Sequence, residues 1–179
     1  MFSTMFKFYI LTGIMVVLFS CSKSEINNVD NDLFNVKDNE IWNPVIHLSR
    51  ENITSIRAKS KKLYKNTNQM ILLVGDVVVD FYNNDGSHIS ILYSDSARID
   101  ESNNDLHASG NVHVVSDSGY TLTSSELLWD NRYEIIVVND SVMFTDSGGD
   151  TLYGIGFESD IDLERYKIFK PFGILSEGL

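Results

Sequence analysis

The ten residues TLTSSELLWD, at positions 121–130, are the middle copy of a pattern that the chain carries three times. Thirty residues earlier stands ILYSDSARID, at 91–100, and thirty residues later stands TLYGIGFESD, at 151–160. Each copy has a leucine at its second position and closes on an aspartate: Leu92, Leu122, Leu152, Asp100, Asp130 and Asp160. Self-similarity at a fixed interval of this size is typical of stacked units, each of which buries a face of its neighbour.

The rest of each unit repeats at the same interval. LHASGNVHV, at 106–114, aligns with IVVNDSVMF, at 136–144, and a looser copy runs from IRAKSKKLY, at 56–64, into ILLVGDVVVDF, at 71–81. Apolar and polar residues alternate along these runs, which are rich in valine, isoleucine, threonine and aromatic residues, and this pattern predicts β-strands. Turn-forming residues separate the runs, at 83–86, 102–105, 117–119, 131–132 and 147–150.

The length of the unit predicts the shape of the fold. Thirty residues accommodate two strands of about a dozen residues and two turns, and such a strand spans about 40 Å at ~3.3 Å per residue. Small or polar residues interrupt the runs near their midpoints, at Ser94–Asp95, Gly110–Asn111, Ser124–Ser125 and Gly154–Gly156. Interruptions of this kind mark bends or β-bulges. We therefore predict an all-β fold, in which long antiparallel strands, each bent at its middle, stack into a twisted jellyroll or V-shaped trough.

One face of these strands is apolar throughout. Its positions are Val77, Val79, Phe81, Leu92, Ala97, Ile99, Leu106, Ala108, Val112, Val114, Leu122, Leu127, Trp129, Ile136, Val138, Val142, Phe144 and Leu152. Periodicity alone favours a closed β-sandwich core that holds no ligand. The other interpretation is that these residues line an open channel.

The N-terminal segment has the features of an export signal. Lys7 gives it a weakly basic start, and the apolar run Phe8–Phe19 is too short to span a membrane comfortably. The following LFSC resembles the lipobox of bacterial lipoproteins, which predicts that Cys21, the only cysteine of the chain, carries lipid. An uncleaved membrane anchor is the alternative. The predicted segments are a signal peptide at 1–20, a flexible polar tether at 21–49 and a β-domain at 50–179.

Charge argues against one class of function. The net charge of −11 argues against nucleic-acid binding, because a phosphate backbone requires lysine and arginine. We interpret the local basic group as the guard of an open sheet edge. Its members are Lys59, Lys61, Lys62 and Lys65.

Nothing in the sequence indicates catalysis, so we expect no enzyme activity, cofactor or metal. The histidines show no ligand spacing, and the aspartates fall where turns and bends place solvated carboxylates. The histidines are His47, His88, His107 and His113, and the aspartates considered are Asp76, Asp80, Asp95, Asp100 and Asp130.

Two stretches carry a resemblance to a known family. They are LHASGNVHVVSDSGYTLTSSELLWD, at 106–130, and DTLYGIGFESDIDLERYKIFKPFGI, at 150–174. In this order and spacing, behind an N-terminal anchor, the chain resembles the LptC family of lipopolysaccharide-export proteins, in the OstA-like group that includes LptA. The resemblance extends from about residue 50 to the C-terminus. The lipobox departs from it, because many members keep an uncleaved transmembrane helix.

The resemblance implies a function and partners. It implies a membrane-tethered periplasmic trough, anchored at the inner membrane, that accepts lipopolysaccharide from an ABC transporter and passes it to an LptA-like bridge protein. The apolar positions given above would then bind lipid. The last strand, predicted at Arg165–Phe169 and ended by Pro171, would offer Tyr166 and Ile168 at an open edge for the partner's strand.

A surface lipoprotein that binds carbohydrate is the alternative from another class. It would use exposed aromatic rings as sugar platforms. The candidates are Tyr82, Tyr93, Tyr120 and Tyr133. An apolar surface that faces inward favours lipid, whereas an aromatic patch that faces outward favours glycan.

Overall fold

The computed structural model describes residues 40–50, 53–66 and 69–172, and every regular element in them is a β-strand. The predicted signal peptide at 1–20, Cys21 and most of the predicted tether lie outside the described residues, as do residues 173–179. The strands are β1 (Glu40–Trp42), β2 (Val45–Arg50), β3 (Ile53–Lys59), β4 (Lys62–Lys65), β5 (Met70–Tyr82), β6 (His88–Asp100), β7 (Asp105–Ser116), β8 (Thr121–Asp130), β9 (Ile135–Thr145), β10 (Thr151–Asp160) and β11 (Tyr166–Phe172).

The strands form one antiparallel sheet that does not close into a barrel. From β5 to β11 each strand pairs with the next one along the chain. At the other end, β4 pairs with the first half of β5 and β3 with its second half, while β1 and β2 pair with β4 and β3. The sequence prediction of long antiparallel strands stacked into a twisted jellyroll trough is confirmed.

A line of bulges crosses the sheet near the middle of its long strands. The pairing register shifts between Tyr93 and Ser96, between Ser109 and Val112, and between Ile155 and Phe157. At Gly110 the backbone has a φ of 78°, a conformation that residues other than glycine rarely adopt. These are the predicted bends, and we call this line the hinge.

The hinge divides the sheet into two arms. Arm A holds the half-strands that end at the turns 100–105, 130–135 and 160–166, and arm B holds those that end at the turns 82–88, 116–121 and 145–151. We call the gap between these two sets of turns the mouth. The aspartates that close the sequence repeat each accept a backbone N–H from the arm A turn that follows: Asp100 at 2.9 Å, Asp130 at 3.0 Å and Asp160 at 3.1 Å. Their place in the repeat is thus the start of a turn.

Two short strands occupy residues where the tether is predicted. β1 and β2 fall within residues 40–50, and the exposure of Ile41 and Trp42 explains why alternation did not reveal β1. The lysines predicted to guard the edge therefore lie one strand further in. Lys62 pairs with Glu40 of β1 at 2.9 Å, and its ammonium lies 4.0 Å from the centre of the Trp42 ring.

Pro171 does not end the last strand, so that prediction was wrong. β11 begins at Tyr166 and continues through Pro171, opposite Gly154, to Phe172, opposite Tyr153. A terminal strand tolerates proline because the backbone groups on its outer side need no ladder partner.

Asp80 also differs from the prediction of a solvated turn. It lies inside β5 with 6% of its surface exposed, and its Oδ2 accepts a hydrogen bond from Nε of Arg57 on β3 at 2.9 Å. His88 Nε2 lies 3.6 Å from the other carboxylate oxygen. The ion pair offsets the cost of burying the charge on the outer face of arm B.

Candidate functional site: the interior and the mouth

The predicted apolar face forms the interior between the arms. Every one of its residues is buried except Leu152, which keeps 36% of its surface exposed. Leu152 lies opposite Phe144 on β9, but the next residue on its face is Gly154, which has no side chain to cover it. β11 ends opposite Tyr153, so in the described residues it does not reach Leu152 either.

The two arms pack directly on each other. Phe81 of arm B meets Trp129 of arm A edge to face, with ring centres 5.4 Å apart. Nearer the last strand, Phe144 of arm B contacts Phe157 at 5.4 Å and Tyr166 at 4.1 Å, both from arm A. Aromatic pairs of this kind contribute ~0.5–1.5 kcal/mol each beyond the area they bury.

The β10–β11 turn, residues 160–166, closes part of the mouth. Leu163 has a φ of 62° and is fully buried in the interior. The neighbouring Glu164 accepts a hydrogen bond at 2.7 Å from Ser118 Oγ, in the β7–β8 turn of arm B. This contact joins the tips of the two arms, and we call it the latch.

Two carboxylates of this turn are electrostatically linked. Burial, followed by a hydrogen bond with Asp160, raises the pKa of Asp162 to about 6. Burial opposes the charge of Asp160 as well, but hydrogen bonds from Asp162 and Arg165 outweigh it and lower the pKa of Asp160. Arg165 Nε donates to Asp160 at 2.7 Å.

A cavity of about 350 Å³ lies in the mouth beside this turn. Ile56 and Phe81 border it from arm B, Trp129 and Tyr133 border it from arm A, and Asp162 borders it from the β10–β11 turn. Its volume is at the low end of the range for small-molecule sites, ~300–1,000 Å³.

Sequence reasoning missed this turn as part of the site. Ile161 and Leu163 alternate with Asp160, Asp162 and Glu164, so the segment has apolar residues inside an acidic run. That alternation was the available signal, because a turn that is solvated on all sides would not need apolar residues such as Leu163 at every second position.

β11 is the last strand of the sheet in the described residues. Tyr166 lies opposite Ser159 and Ile168 opposite Phe157, so both predicted edge residues lie on this strand. Ile168 packs partly buried against the interior. On the opposite side, β1 and β2 are the terminal strands of the described part of the chain.

The tyrosines proposed as sugar platforms do not form one outward patch. Tyr93 and Tyr133 are exposed, whereas Tyr120 stacks on Phe144 at 6.0 Å and Tyr82 borders the mouth cavity. The continuous apolar surface faces inward.

Within residues 40–50, 53–66 and 69–172, no cluster of histidine, cysteine, aspartate or glutamate is arranged to hold a metal ion. The same stretches contain no helix with the length and hydrophobicity that a membrane span requires.

The fold and interior define a class of protein: an open β-trough of bent antiparallel strands with an apolar inside and two sheet edges. The family model described as lipopolysaccharide-assembly, LptC-related, matches residues 57–170, which is more than half of the chain. The protein belongs to this family, and so is a component of lipopolysaccharide transport and assembly. No curated protein matches the sequence significantly.

Proposed function

We propose that this protein receives lipopolysaccharide from an ABC transporter of the inner membrane and passes it to a soluble trough protein of the periplasm. The observation that carries the proposal is the apolar interior, to which both arms contribute from hinge to mouth, in a chain of this family. Transfer of an acyl chain out of water is favourable by ~0.8 kcal/mol per CH₂, so such an interior holds lipid without a covalent step.

Lipid passage requires the arms to separate. Phe81 contacts Trp129 across the interior, and the latch between Ser118 and Glu164 joins the tips. An acyl chain that enters replaces contacts between the arms with contacts of the same apolar character. The latch is a single hydrogen bond, a contact that contributes only ~0.5–1.5 kcal/mol, so it is easily opened.

Locking the mouth tests the proposal. Ser118→Cys with Glu164→Cys, joined by a short reducible thiol crosslinker, ties the arms together at the latch. A photoreactive residue at position 127, in the interior, reports lipopolysaccharide by forming adducts in living cells. We expect adducts to disappear when the mouth is locked and to return on reduction.

A second cysteine pair serves as the control. Thr145 and Thr151 face each other at 3.1 Å between Oγ atoms within arm B, so their crosslink leaves the mouth free. That variant should give the wild-type adducts. Undiminished adducts in the locked protein would show that acyl chains do not travel between the arms.

The two sheet edges supply the junctions. We assign the β11 edge to the downstream trough protein and the β1–β2 edge to the transporter. Terminal strands carry backbone N–H and C=O groups that a partner strand can pair with, which extends the trough by β-augmentation.

Cys21 supplies the tether at the inner membrane in this proposal, with the segment after it as the linker. The motif LFSC at 18–21 supports lipidation. Labelling cells with a radioactive fatty acid should mark wild-type protein and leave Cys21→Ala unmarked; equal label in both would discard the lipoprotein assignment.

A further inference from the structure

The β10–β11 turn, residues 160–166, carries both contacts that close the mouth. Leu163 is fully buried in the interior, and Glu164 accepts the latch hydrogen bond from Ser118 Oγ at 2.7 Å. The φ of Leu163 is 62°, in the left-handed region that leucine rarely adopts, so the buried position is held against backbone strain. A change in this one turn therefore releases the buried leucine and the latch together.

Backbone hydrogen bonds hold this turn loosely. Two of them are long: Leu163 N–H donates to Asp160 O at 3.3 Å, and Asp160 N–H donates to Arg165 O at 3.4 Å. In the β9–β10 turn the corresponding bonds measure 3.0 Å from Gly149 N–H and 2.9 Å from Asp146 N–H. N–H···O bonds weaken beyond about 3.2 Å. The conformation of the β10–β11 turn thus depends on its side chains.

Two carboxylates supply that side-chain support. Asp160 accepts the backbone N–H of Arg165 at 3.1 Å and its Nε–H at 2.7 Å, and Asp162 accepts the backbone N–H of Glu164 at 3.1 Å. Asp160 and Asp162 border the same cavity and share a hydrogen bond, which requires a proton between them. Loss of that proton leaves two like charges together in a turn that is otherwise weakly held.

The groups around the pair do not compensate for that second charge. Arg165, the one cation among the residues that line the cavity in the described part of the chain, already binds Asp160. Glu134 adds a further carboxylate to the wall. The remaining titratable groups near the turn are Glu164 within it, Tyr82 and Tyr133 at the cavity, Glu158 and Lys167 on the outer side of Asp160, and Asp117 with His88 beside the latch.

We propose that the β10–β11 turn is a pH-sensitive gate of the mouth, which holds the arms closed while Asp162 is protonated and lets them part when Asp162 ionises. This inference rests on the proposed function, because it names what regulates the entry of lipid between the arms. The two-state element is the turn, whose buried leucine and latch separate from the arms when charge repulsion and backbone strain are relieved.

The pKa of Asp162 sets the pH range of the gate. Burial, followed by the hydrogen bond with Asp160, raises this pKa to about 6 in the closed turn, and opening returns it toward 3.8 by exposing the carboxyl group. The closed turn binds the proton more tightly, so the ratio of open to closed turns rises with pH between these values. The full shift corresponds to a roughly hundredfold change, of which we expect about tenfold because solvent screens the charges.

Amide hydrogen exchange of the full chain measures the opening of the turn without lipid. NMR follows the Leu163 N–H from about pH 5 to about pH 7, and the Gly149 N–H of the β9–β10 turn is the reference for the pH dependence of the exchange chemistry itself. The protection of Leu163 relative to Gly149 should fall about tenfold in wild type and stay constant in Asp162→Asn. Constant protection in wild type overturns the proposal.

A second measurement follows the arms. Asn84→Cys and Arg132→Cys place spin labels in exposed turns of arm B and arm A, in a Cys21→Ser background that has no other thiol. The population with the longer distance between labels should grow about tenfold over the same pH interval. Unchanged distances would show that the turn loosens without opening the mouth, which also overturns the gate.

Glu164→Gln is the matched variant for the latch. Its side-chain oxygen still accepts a hydrogen bond from Ser118 Oγ, but the charge is gone. The change in Leu163 protection should persist, since Asp162 is the group that titrates. Its disappearance would assign the effect to Glu164 and overturn the proposal.

If Asp162→Asn does not fold, the carboxyl ¹³C signal of Asp162 in the wild-type protein decides. Its titration midpoint should lie near pH 6 and coincide with the change in Leu163 protection, whereas a midpoint near 3.8 overturns the gate. Protection that does not depend on pH, together with lipopolysaccharide adducts that disappear on locking, would remove only the gate. Adducts that persist in the locked protein would instead remove the proposed function.

Discussion

At the scale of single residues, aspartates determine both the ends of the strands and the charge of the mouth. Asp100 and Asp130 accept backbone N–H groups of their turns, so their role is structural. Asp160 has the same place in the repeat, yet it also binds Arg165 and is linked to Asp162. The aspartate that closes the last copy of the sequence repeat is thus also part of the site.

Asp162→Asn should change how stability depends on pH. Folding raises the pKa of Asp162 from 3.8 to about 6, so between these values the folded protein binds more protons than the unfolded chain. Wild type therefore loses stability as pH rises through this interval, and the variant does not. Above pH 6 the variant should be the more stable protein. The difference in free energy of unfolding between variant and wild type should shrink as pH falls from 6 toward 3.8. Asp160, whose pKa is lowered, acts in the opposite direction, and its contribution fades as pH falls below 3.8.

Urea unfolding at steps from about pH 4 to about pH 8 measures this difference. Asp150→Asn is the matched control, because Asp150 is an aspartate in the exposed β9–β10 turn. The difference in free energy of unfolding between Asp150→Asn and wild type should not change with pH in the same way. A difference for Asp162→Asn that is constant over the whole range would contradict the prediction.

At the scale of the strand, the hinge depends on how closely neighbouring strands approach. Gly110 combines a φ of 78° with close contact: a Cβ there would lie 2.5 Å from Asp95 Oδ2 and 2.9 Å from Asp95 Cβ on β6. The bulge therefore requires glycine for its backbone conformation and for the space beside Asp95. Asn111, the next residue, donates to Asp95 Oδ2 at 2.8 Å and holds the bulge to its neighbour.

Gly110→Ala should destabilise the fold more than Gly86→Ala does. Gly86, in the β5–β6 turn, has a similar φ of 85° but no atom within 4 Å of an added Cβ. Both variants incur backbone strain of ~1–2 kcal/mol, and the hinge variant adds overpacking of ~1–3 kcal/mol. Free energies of unfolding from urea titration give the difference. Equal losses would mean that Asp95 moves aside and that the hinge is more tolerant than its geometry indicates.

At the scale of the whole molecule, the open sheet formed by the described residues has two edges of different construction. β11 is a continuous terminal strand, whereas the opposite edge consists of β1 and β2, which pair with different partner strands. Exposed Ile41 and Trp42 lie on one edge, and exposed Phe169 and Phe172 lie on the other. The two edges therefore present different surfaces to partners.

Deletion of residues 164–179 should abolish capture of the downstream trough protein and leave association with the transporter intact, because it removes β11. Deletion of residues 173–179 keeps β11 and is the matched control, which should retain both partners. Affinity purification of each variant from membranes measures the two associations. If the longer deletion loses the transporter and keeps the trough protein, the polarity assigned to the edges is reversed.

Much of the fold followed from local pattern. A strand alternates with period two, so a repeated alternation identified the inner face from Val77 to Phe144, and small residues at fixed places identified the hinge. These features depend on neighbours close in sequence. The family resemblance added the function, which periodicity alone left open between a closed core and a channel.

Contacts between distant residues were decided only by the tertiary structure. The pairing of β1 and β2 and the Arg57–Asp80 ion pair have no periodic signal, because each depends on which strands become neighbours in the sheet. Alternation marked Leu163 as apolar, but only the tertiary structure showed that it inserts into the interior. The same holds for the mouth cavity, which Trp129 borders together with residues far apart in the sequence, such as Ile56, Phe81 and Asp162. Alternation reports which side of a strand is apolar, whereas the distance between the arms depends on which side chains meet across the interior. The sequence thus determined the trough, and packing between its arms determined where its mouth closes.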